Sequence, residues 1–106
     1  MESARAEVRI PIPMGAVVDF CRRHRVKELA LFGSVLRKDF SDRSDVDVLI
    51  DFLPDTRITL FGLSNLQTEL ETMFRRHVDL VMKDTLKRRI AAEVLASREV
   101  LYVAAQ

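Results

Sequence analysis

This sequence has a single cysteine, no long apolar run and almost no excess of charge of either sign. Cys21 is the single cysteine, so no intrachain disulfide and no cysteine-based metal cluster can form, which predicts a reducing, cytoplasmic setting. No apolar run approaches the ~20 residues that a membrane span needs, and the first residues lack a signal-peptide core. These absences argue against a secreted protein and against a membrane protein.

The charge balance is nearly neutral, with 17 Lys and Arg against 16 Asp and Glu and a net charge of +1. This balance gives no case for a direct nucleic-acid or membrane partner. A chain of 106 residues that is 48% hydrophobic and 31% charged is expected to form one globular domain. We expect residues 1–12 to form an N-terminal arm, because they are charged and then punctuated by proline, and residues 13–106 to form the domain.

Hydrophobic periodicity predicts both helices and strands. Apolar residues recur at helical spacing in three segments, which are 13–25, 59–75 and a last segment capped by Asp84. Short apolar runs predict strands at 29–32, 46–52 and 78–82, and the tail 100–103 is assigned to an edge strand. The gap between the first two strands is too short for a long crossover helix. We therefore expect an α+β fold in which a small mixed or antiparallel sheet has helices on one face and an acidic site on the other.

Carboxylates recur in the predicted strands at positions where a core does not require them. Asp45 and Asp47 are two residues apart, so their side chains leave the same face of a strand, and Asp79 alternates with the apolar residues of the segment 78–82. Neighbouring carboxylates repel each other unless a cation lies between them, and Mg²⁺ prefers carboxylate and phosphate oxygens. If the two strands are neighbours, the three acids can hold two metal ions for an in-line displacement at phosphorus.

A Gly-Ser turn precedes these acids and adds a candidate phosphate site. Gly33 lets a backbone approach a phosphate closely, and Ser34 offers a hydroxyl and N–H groups to the same anion. Arg37 lies one turn beyond Ser34, where it either reaches a nucleotide phosphate or forms a surface ion pair. In the simpler alternative, the acids mark the solvent face of an edge strand and Gly-Ser is an ordinary turn. Asp79 argues against that alternative, because core packing does not call for it.

The combined pattern resembles a known family. Gly33-Ser34, ten intervening residues, Asp45-x-Asp47 and then Asp79 within an apolar segment are similar to the nucleotidyltransferase superfamily related to DNA polymerase beta. In length and layout the chain resembles the minimal nucleotidyltransferases, the MNT or MntA-like proteins, from about residue 26 to the C-terminus. One departure is Lys38, where many relatives have a glycine, and it concerns the path of the loop.

The resemblance implies that the chain transfers AMP from ATP to a hydroxyl and releases pyrophosphate, with two Mg²⁺ ions as cofactors. It implies that Gly33 and Ser34 hold the triphosphate and that Asp45, Asp47 and Asp79 bind the metals and carry the catalysis. It also implies a HEPN-domain ribonuclease toxin as the partner in a hetero-oligomer, modified by this antitoxin on a hydroxyl that we expect to be a tyrosine's.

Two alternatives to this function stay open. The chain could be a non-catalytic antitoxin that occludes the toxin, or a nucleotidyltransferase that acts on a small molecule. Larger nucleotidyltransferases close a further domain over the substrate, and this sequence has no residues for one. We therefore expect another chain to complete the acidic site, which favours a protein acceptor over a small molecule.

Overall fold

The structure, a computed structural model, describes residues 10–37, 40–41, 43–86 and 88–105. The helices in this part of the chain are α1 (Met14–Arg23), α2 (Leu60–Phe74) and α3 (Arg88–Ser97). The strands are β1 (Val26–Phe32), β2 (Val46–Phe52), β3 (Val78–Met82) and β4 (Glu99–Val103). Two short 3-10 turns follow strands β1 and β3, at Gly33–Leu36 and Lys83–Thr85.

The four strands form one mixed sheet in the order β3-β2-β1-β4. Strand β1 is antiparallel to both β2 and β4, whereas β2 and β3 are parallel. The parallel pair needs a crossover connection, and α2 provides it. The predicted mixed sheet is confirmed, and the tail 100–103 lies in the edge strand β4, as expected.

The main core lies between one face of the sheet and the helices α1 and α2. The alternation of side chains along β2 turns Val46, Val48 and Ile50 into this core, where each has no exposed surface. Both helices contribute apolar residues to the same cluster, namely Val17, Phe20 and Cys21 from α1 and Leu66, Leu70 and Phe74 from α2. The residues between the core positions of β2, Asp47 and Leu49, therefore belong to the opposite face, which carries the acids.

Helix α2 has the ends that its sequence predicts, but α3 does not. The Thr59 hydroxyl caps α2 by accepting a hydrogen bond from the N–H of Gly62 at 3.0 Å. The prediction that Asp84 caps α3 is wrong, because Asp84 lies in a 3-10 turn and α3 begins only at Arg88. That turn is closed by the Thr85 hydroxyl, which donates to the carbonyl of Met82 at 2.8 Å.

Most of the predicted N-terminal arm lies outside the described residues, and so does the unusual Lys38. Residues 1–9 and Lys38 are not described. Ile10, which falls within the predicted arm, is 7% exposed and belongs to the core cluster. No helix in the described part of the chain is both long and apolar enough to cross a membrane.

Candidate active site

Two of the predicted acids lie side by side on the sheet. Asp47 on β2 is paired with Asp79 on β3 in the parallel register. Residues paired in this way project to the same face, and adjacent strands are about 5 Å apart. Val78 and Val48 beside them are fully buried, so the two carboxylates belong to the face opposite the main core. The tertiary structure thus brings together two acids that are 32 residues apart in the sequence (79 − 47).

The third predicted acid flanks this pair. Asp45 comes directly before β2, and its side chain is 54% exposed. One of its oxygens, Oδ1, lies 3.5 Å from Nδ1 of His77, whose other ring nitrogen is 3.8 Å from a carboxylate oxygen of Glu71. The main-chain N–H of Val46 also donates to the carbonyl of His77 at 2.9 Å. The segments that carry Asp45 and Asp79 are therefore tied together just ahead of the two strands.

The electrostatics of the site are centred on Asp47. Its pKa is raised above the ordinary value, first by burial and then by the negative charges of Asp79 and Asp45. The positive charge of Arg37 and a hydrogen bond from the main-chain N–H of Ser34 act in the opposite direction. The net effect is an excess of negative charge at Asp47 that the neighbouring protein groups do not fully compensate. A bound cation would relieve this repulsion.

The position of Gly33 favours glycine for two reasons. Its φ is +75°, a left-handed conformation that residues with a side chain rarely adopt. A Cβ atom built there would lie 2.2 Å from Oδ2 of Asp47, well inside the contact distance of a carbon and an oxygen. The glycine therefore allows the turn after β1 to lie directly against the Asp47 carboxylate.

Ser34 and Arg37 also face the acids. The Ser34 hydroxyl donates to the carbonyl of Asp45 at 3.4 Å, and its main-chain N–H donates to the carboxylate of Asp47. Arg37 ends the 3-10 turn, is exposed, and is close enough to lower the pKa of Asp47. The predicted nucleotide-binding residues and the predicted metal ligands are therefore one contiguous site in the folded chain.

The carboxylates suit a magnesium ion that shares its ligands with a substrate. Among the described residues, no three His, Cys, Asp or Glu side chains form a group close enough to surround a metal by themselves. Mg²⁺ does not require such a group, since it commonly takes one or two carboxylates and completes its octahedral sphere with waters and phosphate oxygens. The uncompensated charge at Asp47 and the hard oxygen donors of Asp79 and Asp45 fit this ion.

A cavity adjoins the acidic site and was not foreseen from the sequence. It has a volume of about 380 Å³ and is lined by residues of the turn after β1 and of α3. The lining residues are Phe32, Gly33, Leu36, Arg37, Glu93, Val94 and Ser97. The sequence pattern of α3 predicted a helix but gave no signal of where it would pack. Only the tertiary structure brings Glu93 and Gly33 to the same cavity.

Comparisons with known proteins find relatives and solved structures that are similar to most of this chain. The protein adenylyltransferase MntA of Thermococcus cleftensis is 43% identical over 81 residues, which cover 76% of this chain and 78% of the relative. A solved toxin–antitoxin structure with AMP-PNP superposes with a TM-score of 0.71 at 18% identity, covering 90% of this chain and 77% of that one. A tri-AMPylated HEPN toxin of Shewanella oneidensis in complex with its MNT antitoxin gives a TM-score of 0.63 at 17% identity, with 86% and 70% covered.

The two structural likenesses show a shared fold, and the sequence shows the family. The nucleotidyltransferase domain pattern matches residues 15–101, a span that contains the Gly-Ser turn and all three acids. The match and the 43% identity to a named adenylyltransferase confirm the expected enzyme class. This chain belongs to the nucleotidyltransferase domain family.

Proposed function

We propose that this nucleotidyltransferase moves AMP from ATP to a tyrosine hydroxyl of a HEPN-domain toxin, with Mg²⁺ as cofactor, and thereby acts as an antitoxin. The observation that carries the proposal is the Asp47–Asp79 pair lying against the Gly33 turn. The donor and the partner are supported by the relative named as a protein adenylyltransferase and by the toxin–antitoxin complexes of the same fold. The proposal assigns the enzyme to the cytoplasm, in a hetero-oligomer with the toxin.

Each polar group of the site has a proposed role. Asp45, Asp47 and Asp79 would hold two Mg²⁺ ions, which when bound neutralise phosphate charge and lower the pKa of the acceptor hydroxyl. The charges of Asp79 and Asp45 both act on the carboxylate of Asp47, so the three acids would hold the ions together. Ser34 and Arg37 flank the same carboxylate, and they would hold the triphosphate through hydrogen bonds and positive charge.

The transfer itself is an in-line displacement. The tyrosine oxygen forms a bond to the α-phosphorus of ATP, and the bond from that phosphorus to the bridging oxygen of the β-phosphate breaks. Pyrophosphate leaves with the electron pair of that bond. The proton of the hydroxyl passes to the carboxylate of Asp79, which is exposed in this structure and so accessible to an acceptor from another chain.

Transfer of labelled AMP from ATP to a purified HEPN toxin in the presence of Mg²⁺ tests the proposal. The intact mass of the toxin should increase by one or more AMP units. The double variant Asp45→Asn, Asp47→Asn should lose transfer by more than about 100-fold, because even residues that only support metal ligands cost 10–100-fold when replaced. Asp51→Asn is the matched control, since Asp51 lies on the same strand but is paired with Glu28, away from Asp79.

Three results would contradict the proposal. Wild-type transfer by the double variant would remove the acids from the chemistry. The double variant could still protect cells from the toxin while even the wild-type chain places no label on the toxin. That result would indicate an antitoxin that only occludes its partner. Efficient AMP transfer to a small molecule without any toxin, and none to the toxin, would indicate a different acceptor class.

A further inference from the structure

We propose that the cavity between the Gly33 turn and α3 binds the nucleobase of the nucleotide, and that Glu93 selects a base with an exocyclic amino group. Under the proposed function, on which this inference rests, that base is adenine. This cavity is lined by the apolar residues Phe32, Leu36 and Val94 and by several polar residues.

The position of the cavity relative to the acids supports this assignment. Gly33 lines the cavity and also lies directly against the carboxylate of Asp47. Arg37 lines the cavity as well, and its charge acts on the same carboxylate. A nucleotide whose phosphates lie at Asp47 would therefore have its next covalently attached groups, the ribose and the base, at the mouth of this cavity.

The size and the walls of the cavity suit an aromatic base. Its volume of about 380 Å³ falls in the range of 300–1,000 Å³ that is common for small-molecule sites. Phe32, Leu36 and Val94 give it apolar surface against which a flat ring can pack. An apolar wall with a few polar groups is the usual composition of a site that binds a base or a cofactor ring.

The polar groups of α3 supply the selectivity. An ionised Glu93 carboxylate can only accept hydrogen bonds. The Ser97 hydroxyl donates its proton to the main-chain carbonyl of Glu93 at 2.9 Å, so its oxygen is also left as an acceptor. A base edge that donates from an amino group satisfies these acceptors, as the N6 amine of adenine does, whereas a carbonyl at that position opposes them.

A largely buried ion pair joins the end of α3 to the sheet. Arg98, directly after α3, donates from Nε to Oε2 of Glu28 at 2.5 Å, and its own main-chain N–H bonds to the carbonyl of Val94 at 2.9 Å. Glu28 lies on β1 and is 9% exposed, and Lys83 approaches its other oxygen at 3.7 Å. The helix that carries Glu93 is thus anchored to the central sheet.

Calorimetric binding of ATP and of inosine triphosphate to the chain with Mg²⁺ tests the inference. Inosine triphosphate carries a carbonyl where ATP carries the amino group, and the two are otherwise nearly alike. The wild-type chain should bind ATP at least about tenfold more tightly, which is what one hydrogen bond to a charged group provides. Glu93→Gln should bring the ratio of the two dissociation constants close to one, because an amide can also donate to the carbonyl.

Matched variants separate base recognition from general effects on the fold. Asp51→Asn should keep the wild-type ratio of the two dissociation constants. Val94→Ala should weaken both nucleotides by several fold, whereas Ile90→Ala, which truncates a residue of α3 outside the cavity, should weaken neither. These measurements need no toxin, so a failure of AMP transfer leaves them interpretable.

The inference is overturned if the wild-type chain binds ATP and inosine triphosphate equally. It is also overturned if Glu93→Gln keeps the wild-type preference for ATP. A cavity that is only a packing gap between α3 and the sheet would give the first of these results.

Discussion

Asp47 and Asp79 are paired residues on two parallel strands, and the Gly33 turn lies against the first of them. Parallel pairing places both carboxylates on one face at the spacing of adjacent strands. Burial and the charge of its neighbours then raise the pKa of Asp47. In the metal-free protein, burial and charge repulsion therefore raise the electrostatic free energy of the site, and a bound cation would lower it.

Replacing Asp47 by asparagine should stabilise the metal-free protein and inactivate the enzyme. The raised pKa of Asp47 means that the folded state binds this proton more strongly than the unfolded chain does. This group therefore makes the wild type less stable as the pH rises above 3.8, its ordinary pKa, and the asparagine variant lacks this contribution. In chelator at pH 7.5, the Tm of Asp47→Asn should be about 2–5 °C higher.

Thermal unfolding of both proteins in chelator, from pH 7.5 down to pH 4.5, measures this effect. The difference in Tm should shrink as the pH falls, because protonation removes the charge that distinguishes the two proteins. A variant that is less stable than the wild type at pH 7.5 would mean that the hydrogen bond from Ser34 outweighs the repulsion.

Gly33→Ala should damage both stability and activity. The left-handed φ alone costs about 1–3 kcal/mol for a residue with a side chain. The new methyl group would also displace the Asp47 carboxylate, since it would lie 2.2 Å from Oδ2. We expect the free energy of unfolding to fall by about 2 kcal/mol or more, which is the sum of moderate values for strain and repacking. We expect the rate of AMP transfer to fall by at least about 100-fold.

Gly15→Ala is the control for this substitution. Gly15 lies in α1, and nothing is within 4 Å of a Cβ built there. Alanine favours a helix by up to about 1 kcal/mol over glycine, so Gly15→Ala should leave transfer unchanged and stability equal or higher. Urea unfolding of both variants measures the contrast, and equal effects of the two substitutions would contradict the role assigned to Gly33.

Glu28→Ala should destabilise the fold through the loss of a buried ion pair. The substitution leaves Arg98 and Lys83 without the carboxylate that now lies 2.5 Å and 3.7 Å from them. Breaking a fully buried pair costs about 3–5 kcal/mol, and partial exposure of Arg98 reduces this to about 2–3 kcal/mol. The free energy of unfolding in urea gives the value.

Asp84→Ala provides the comparison for Glu28, because Asp84 is an exposed acid in the neighbouring 3-10 turn. An exposed substitution of this kind should change the free energy of unfolding by no more than about 0.5 kcal/mol. Similar losses for both acids would show that the contacts of Glu28 with Arg98 and Lys83 contribute nothing specific.

The Cys21 thiol should be unreactive in the native protein. Burial in the core raises its pKa to about 12, and its side chain has no exposed surface. At pH 8 the thiol is therefore almost wholly protonated, and only the thiolate reacts with disulfide reagents. Labelling with a colorimetric disulfide should be at least about 100-fold slower in buffer than in denaturant. Rapid labelling of the native protein would indicate frequent opening of α1.

The sequence by itself determined the local parts of the fold and of the site. Alternating apolar residues defined β2 and β3 with the acids on the faces opposite Val48 and Val78, because the period of two is a property of the extended backbone. The helical spacing of apolar residues over 59–75 predicted α2 in the same local way, and the structure adds the Thr59 cap. The family pattern joined these parts into one expected site.

Only the tertiary structure decided which elements are neighbours. The pairing of Asp47 with Asp79, the burial of Glu28 and the cavity that Glu93 shares with Gly33 depend on strand order and on the placement of the helices. No local rule sets these, because the free energy of such contacts comes from surfaces that lie far apart in the sequence and meet only in the folded chain. The sequence thus determined which residues can do the chemistry, and the tertiary arrangement of the strands and of α3 decided what lies beside them.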